Sequence, residues 1–310
     1  MVWPAGSGRA LRFFDMVPPI LMPTAPRYLP LAQWTCGRIA RFWSGHPRIF
    51  LCGAEGDGRA LPLRDDPRDW MRVAASACAD LLADGFRQVY VILDDHPPIA
   101  ECHAEHLGRA LPGMVEELGM TSLVTGGYGP LNKRKGRATC WKGFTPECLP
   151  LSQPWKLPLH PALWNLQRLH DILIHLINRL PDSVHTPWAF ERIGSDLEKG
   201  GVREDWLSAC WRVNARETST PEALALHDFR DRIVRLALRV SACDALVFAG
   251  RDGRDAVVGA LAGLRHPRIG PYPCFWSGVM KKGRINQDYL FYARFKNRPD
   301  LVEGLVNIPL

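Results

Sequence analysis

Five consecutive residues, Val89-Tyr-Val-Ile-Leu93, are apolar without interruption, and the run stops at Asp94-Asp-His96-Pro-Pro98. The run is too short for a helix and has no polar face, so it predicts a strand covered on both sides. Pro97 and Pro98 cannot continue a central ladder, which puts Asp94, Asp95 and His96 where the strand leaves its sheet. In open α/β sheets that edge is where ligands bind. Two adjacent carboxylates there repel each other unless a cation, a donor or solvent takes up the charge. A divalent metal carrying a phosphate ester is the economical partner. The plainer reading is a solvated turn or helix cap.

The preceding chain alternates. Val17 to Met22 reads as a first strand, Leu29 to Trp43 as a helix with Arg38 and Arg41 on its wet side, and Arg48 to Gly53 as a second strand. Asp69 to Ala83 reads as an alanine-rich helix stopped by Gly85. This β-helix-β-helix-β order predicts an α/β fold with a parallel sheet. Beyond it, Cys102 to Leu118 reads as a helix and Ser122 to Thr125 as a strand, followed by the basic loop Gly126 to Arg137. Ala138 to Phe144 and Gln153 to Leu159 read as antiparallel additions to the sheet. His160 to Asn178 reads as one helix with Pro161 in its first turn, and Pro187 to Ile193 as a short helix carrying Glu191.

The expected organisation is therefore a leader over 1–16 and an α/β core over 17–199. A mostly helical appended or inserted region over 200–268 and a tail over 269–310 that returns to the core complete it.

Composition narrows the partners. With 46% hydrophobic and 23% charged residues the chain can bury a full core. Its net charge of +7 suggests an anionic partner. The nine cysteines are odd in number, several lie inside apolar runs and no Cys-x-x-Cys occurs, so they read as buried free thiols of a cytoplasmic protein. No stretch approaches the roughly 20 apolar residues of a membrane span. His103 and His106 share a predicted helix face, but no second ligand pair has structural-zinc spacing. The loop Gly126 to Arg137 lacks the Gly-Lys-Ser/Thr ending of a Walker motif and reads as a solvated hairpin, with a phosphate contact as the sharper alternative.

Four stations together resemble bacterial GT-A-like glycosyltransferases and related proteins: Tyr90-Val-Ile-Leu-Asp-Asp-His96, His160-Pro-Ala-Leu-Trp164, Thr186-Pro-Trp-Ala-Phe-Glu191 and Trp276-Ser-Gly-Val-Met-Lys-Lys-Gly-Arg-Ile285. The likeness covers about residues 17–195 and the tail near 269–290. The acidic pair departs from a strict Asp-x-Asp, and 200–268 has no counterpart. The resemblance implies a GT-A-like mixed sheet flanked by helices that transfers a sugar from a nucleotide-sugar donor to a glycan or lipid-linked acceptor.

On that resemblance Asp94, Asp95 and His96 would hold Mn²⁺ or Mg²⁺. Lys281 and Lys282 would add charge at the diphosphate, and the loop from Pro23 through Thr24 to Arg27 would seat the nucleotide base. Trp164, Trp188 and Ser277 would contact the sugar. Glu191, beside Trp188 and Phe190, would be the base, with Asp171 as second choice. Specific nucleic-acid binding is not expected, whereas peripheral contact with an anionic membrane surface is compatible with the charge. The competing readings are a metal-dependent phosphoesterase using Asp94, Asp95, His96 and further histidines such as His103 or His160, and a non-catalytic anion-binding module using Lys133 to Arg137.

Overall fold

The computed structural model describes residues 17–125, 138–152, 156–224, 267–268, 270–275, 278–281, 283–295 and 298–308. Expectations for the leader, the loop 126–137, the helix 221–240 beyond residue 224, the segment 245–255, Ser277 and Lys282 lie outside the described residues.

Strand β1 (Ile20–Pro23) leads through helix α1 (Leu29–Phe42) to β2 (Ile49–Cys52), and helix α2 (Trp70–Ala83) leads on to β3 (Gln88–Val91). A π-turn, His106–Ala110, runs into α3 (Leu111–Glu117). Pro112 has no N–H to give the preceding turn, and the wider winding absorbs that missing bond. Then follow β4 (Ser122–Val124), β5 (Glu147–Cys148), β6 (Ala162–Asn165), α4 (Leu166–Arg179), α5 (Pro187–Gly194) and β7 (Cys210–Arg212).

The strands form one seven-stranded mixed sheet in the order β2-β1-β3-β6-β4-β7-β5. β1 is parallel to β2 and β3, β6 is antiparallel to β3 and β4, β4 is parallel to β7, and β5 is antiparallel to β7. This is an α/β architecture, a mixed sheet flanked by helices. The carboxyl ends of β1, β2, β3, β4 and β7 consequently share one edge with the amino end of β6.

Alternation along the strands fills both faces. Leu21, Val89 and Val91 pack with α2, α4 and α5, while Ile20, Met22, Tyr90 and Ile92 pack with α1 and α3. A third cluster joins Leu31 and Ile99 to Phe275, Val279, Tyr289, Tyr292 and Leu305, so the described tail lies against α1 and the segment after β3.

Three expectations are corrected. His160 to Asn178 is not one helix: Ala162–Asn165 is a strand, paired residue by residue with Gln88–Val91, and the helix starts only at Leu166, where the Asn165 side chain accepts from Arg168 N–H. Pairing on both sides outweighs the helical look of Pro-Ala-Leu-Trp. Ala138 to Phe144 contributes only isolated bridges, at Ala138 to Glu147 and Trp141 to Phe144, and residues 156–159 form no strand. Arg38 is buried, not wet: its guanidinium donates to the Asp300 carbonyl (2.7 Å) and lies 4.5 Å from the Phe42 ring, beneath the turn Pro299–Leu301. Strand β7, from the region expected to be appended or inserted, lies within the sheet. Among the described residues no helix is long and apolar enough to cross a membrane. The eight described cysteines are free thiols.

Candidate functional site

The acid pair sits just past β3 at the edge where the parallel carboxyl ends collect. Asp94 is fixed twice. Its carboxylate accepts from the Thr24 hydroxyl (2.5 Å), and its carbonyl accepts from the Thr35 hydroxyl of α1 (2.5 Å). Thr24 follows β1, and Gly53 follows β2 so closely that a Cβ there would stand 2.5 Å from the Thr24 carbonyl. With φ at +96°, the position suits glycine alone.

Burial, and then the neighbouring Asp95 carboxylate, push the Asp94 carboxyl up to about 7, while the Thr24 bond and His96 pull it down. Asp95 points its Oδ1 at His96 Nδ1 (2.6 Å), and its carbonyl accepts from Val279 N–H (2.7 Å). Its Oδ2 lies against Gly278, where a Cβ would come within 2.3 Å of it. The tail therefore closes directly over the acid pair.

The buried His96 ring meets the half-buried His160 ring edge-on at 5.1 Å between centroids, and Tyr272 donates its hydroxyl proton to the His96 carbonyl (3.0 Å). Carboxylate, imidazole and imidazole thus adjoin one another, a set of which the sequence displays only Asp94-Asp-His96. The proximity of His160 follows from β6 being a strand antiparallel to β3.

The other expected site residues divide. Pro23 ends β1 and is buried against Cys52; Arg27 is exposed, its guanidinium 4.6 Å over the Tyr28 ring. Lys281 is exposed on the two-stranded ladder Met280–Lys281 with Arg284–Ile285, whose turn residue Gly283 lies beside the Tyr28 hydroxyl. Arg27, Lys281 and Arg284 therefore rim the same edge. Trp188 is 69% exposed on the first turn of α5.

Trp164 is a correction: it is 0% exposed, in β6, packed against Phe190 and the core, where no sugar reaches it. Asp171 is another. It lies on α4, which starts from Asn165 at the opposite edge of the sheet, and its carboxylate accepts from Gln167 (2.8 Å). Glu191 is 8% exposed, and its Oε1 accepts from the Leu159 main-chain N–H (2.7 Å).

The histidine pair weighed and set aside for zinc is stacked flat, His103 on His106 at 3.5 Å between centroids, with His106 Nδ1 beside the Thr218 carbonyl. A donor set for a metal ion occurs elsewhere: Asp69, Asp182 and His185 bring one ligand atom each within 4.8 Å of one another. Asp69 also caps α2 and pairs with Arg72, which reaches Asp182 as well. His185 Nδ1 faces Asp69 (2.9 Å) and Nε2 faces the Leu180 carbonyl (3.1 Å), so both ring nitrogens lie against acceptors. Asp182 and His185 are three residues apart, but Asp69 is remote in the chain, so the sequence does not show the set as a group. No model of a known protein family matches this chain, and no curated protein matches it.

Proposed function

We propose that the chain is a nucleotide-sugar-dependent glycosyltransferase with a GT-A-like core, acting at the edge where Asp94 and Asp95 emerge. One observation carries the reading. A desolvated carboxyl, raised by its neighbour, stands at the carboxyl end of the central strand beneath a glycine loop that leads into Lys281. The residues fit a divalent cation. Thr24 occupies one Asp94 oxygen and His96 one Asp95 oxygen. Asp94 also takes a main-chain hydrogen bond from Asp95, and Asp95 Oδ2 faces Gly278, so a cation would share carboxylate lone pairs of one sign in a place that favours added positive charge. Bound there, Mg²⁺ or Mn²⁺ would supply positive charge to a departing diphosphate.

The chain's own groups share that work. Thr24 and Thr35 hold Asp94 in place, and Gly278 brings main chain within reach of the phosphates. Arg27, Lys281 and Arg284 offer cationic donors on the rim. Trp188, exposed on α5, is the aromatic face available to a sugar.

The test is a melting screen of nucleoside diphosphates with and without Mn²⁺, followed by transfer from the matching nucleotide sugar. Stabilisation by a diphosphate only with Mn²⁺ is expected, and no stabilisation by any diphosphate would defeat the reading. The chain Asp95, His96 and His160 favours a second reading, a phosphoesterase, because a carboxylate-oriented imidazole is general-base hardware. Phosphate ester hydrolysis at equal rate with and without any acceptor would select it.

A further inference from the structure

The six residues before β6 form no regular element, yet buried side chains hold them in place along their length. Lys156, fully buried, donates its ammonium to the Leu149 carbonyl (2.6 Å). Leu157 N–H donates to Ser195 Oγ (3.0 Å), and Leu159 N–H donates to Glu191 Oε1 (2.7 Å). The Pro161 carbonyl accepts from both the Thr125 hydroxyl (2.8 Å) and its N–H (3.0 Å). Glu191 in α5 and Ser195 at its C-cap stand one turn apart, so a single helix face meets alternate N–H groups of an extended segment. Pro158 and Pro161 stiffen the same stretch.

Burying a lysine and a glutamate is costly unless each finds partners. Two such groups spent on one irregular segment fix something more than the start of a short strand. The residue between the last two anchors is His160, and its ring is the one set against His96.

We infer that Glu191, with Ser195, is a positioning residue: α5 grips the 157–159 backbone and thereby holds His160 edge-on to His96, beside Asp95. The acceptor's proton is then not taken by Glu191, whose buried carboxylate is tied through Oε1 to the Leu159 main chain. The placement of His160 follows from the geometry alone; its consequence for transfer rests on the glycosyltransferase reading.

The two roles respond differently to an isosteric amide. In Glu191→Gln the side-chain oxygen still accepts from Leu159 N–H, whereas a base that loses its charge loses its function. The experiment follows the His160 and His96 imidazole resonances, assigned with H160Q and H96Q, in full-length wild type, E191Q, E191A and S195A, alongside transfer from the nucleotide sugar found in the diphosphate screen. E191Q is expected to keep both the resonances and turnover, the latter within about threefold. E191A is expected to move the His160 resonances and lower turnover about tenfold to a hundredfold, the scale of an ångström-sized misplacement. S195A shifts the same resonances less and keeps the test alive should E191A fail to fold.

Because Glu191 acts through His160, E191A combined with H160Q is expected to be no slower than the slower single variant. Loss of turnover in E191Q with unmoved His160 resonances would overturn the inference, as would unmoved resonances in both E191A and S195A. If wild type transfers no sugar, the glycosyltransferase reading fails, and the resonances alone decide the positioning role.

Discussion

Asp94→Asn is the most informative single change, because folding raises this carboxyl from 3.8 to about 7. The folded chain then holds a proton more tightly than the unfolded chain. Stability linked to Asp94 is therefore full below about pH 4 and drains away as pH climbs to about 7. Each pH unit in that window removes about 1.4 kcal/mol per proton, so the upper limit is about 4 kcal/mol at neutral pH. The amide in Asp94→Asn keeps an oxygen for the Thr24 hydroxyl and does not titrate. Melting curves of both proteins from about pH 4 to about pH 8, without divalent ions, should converge at the acid end and separate by several degrees at the alkaline end, with the variant the more stable.

Mn²⁺ should then raise the wild-type midpoint near pH 8, by an amount equivalent to about 2.7 kcal/mol at a hundredfold excess over its dissociation constant, and leave the variant nearly unmoved. Parallel pH profiles for the two proteins would refute the raised carboxyl. Equal stabilisation of both by Mn²⁺ would place the cation elsewhere, and Asp182→Asn would show whether the Asp69, Asp182 and His185 group holds it.

Gly278→Ala drives a methyl to 2.3 Å from Asp95 Oδ2 at a backbone φ of +69°. That substitution should cost about 1–2 kcal/mol in a denaturant melt, and it should weaken Mn²⁺ binding in the same preparation. Trp164→Ala removes a fully buried ring. By urea unfolding it should cost about 3–5 kcal/mol. Trp188→Ala acts on an exposed ring and should change stability by under about 0.5 kcal/mol. A rise in KM for the nucleotide sugar in that variant therefore reports sugar contact. His185→Ala takes away a buried ring together with its bonds to Asp69 and Leu180. The loss should cost about 2–3 kcal/mol without altering diphosphate binding.

The elements legible in the sequence are those whose own pattern suffices. The strand in the run Val89 to Leu93, observed over Gln88–Val91, the helices expected over Leu29 to Trp43 and Asp69 to Ala83, observed over Leu29–Phe42 and Trp70–Ala83, and the acid pair just past a strand all follow from local periodicity and from prolines that end a ladder. Ala162 to Asn165 is not legible, because four apolar or amide residues after a proline suit a helix start as well as a strand, and only pairing with β3 and β4 decides. Trp164 changes role with it, from sugar platform to core. Glu191 stands out in the sequence as a carboxylate among aromatic residues, but it accepts from a main-chain N–H, and no side-chain pattern encodes where a backbone group of another segment will lie.

Residues adjacent along the chain thus suffice to establish that a covered strand delivers two carboxylates to the edge of an α/β sheet, since burial pattern and proline chemistry are properties of neighbours. What surrounds those carboxylates came only with the assembled fold: Thr24 on Asp94, His160 near His96, and Gly278 on Asp95, with the Asp69, Asp182 and His185 group gathered elsewhere. Each of these joins residues remote in the chain, and such distances are fixed by strand order and helix packing, which exist only once every element is in place.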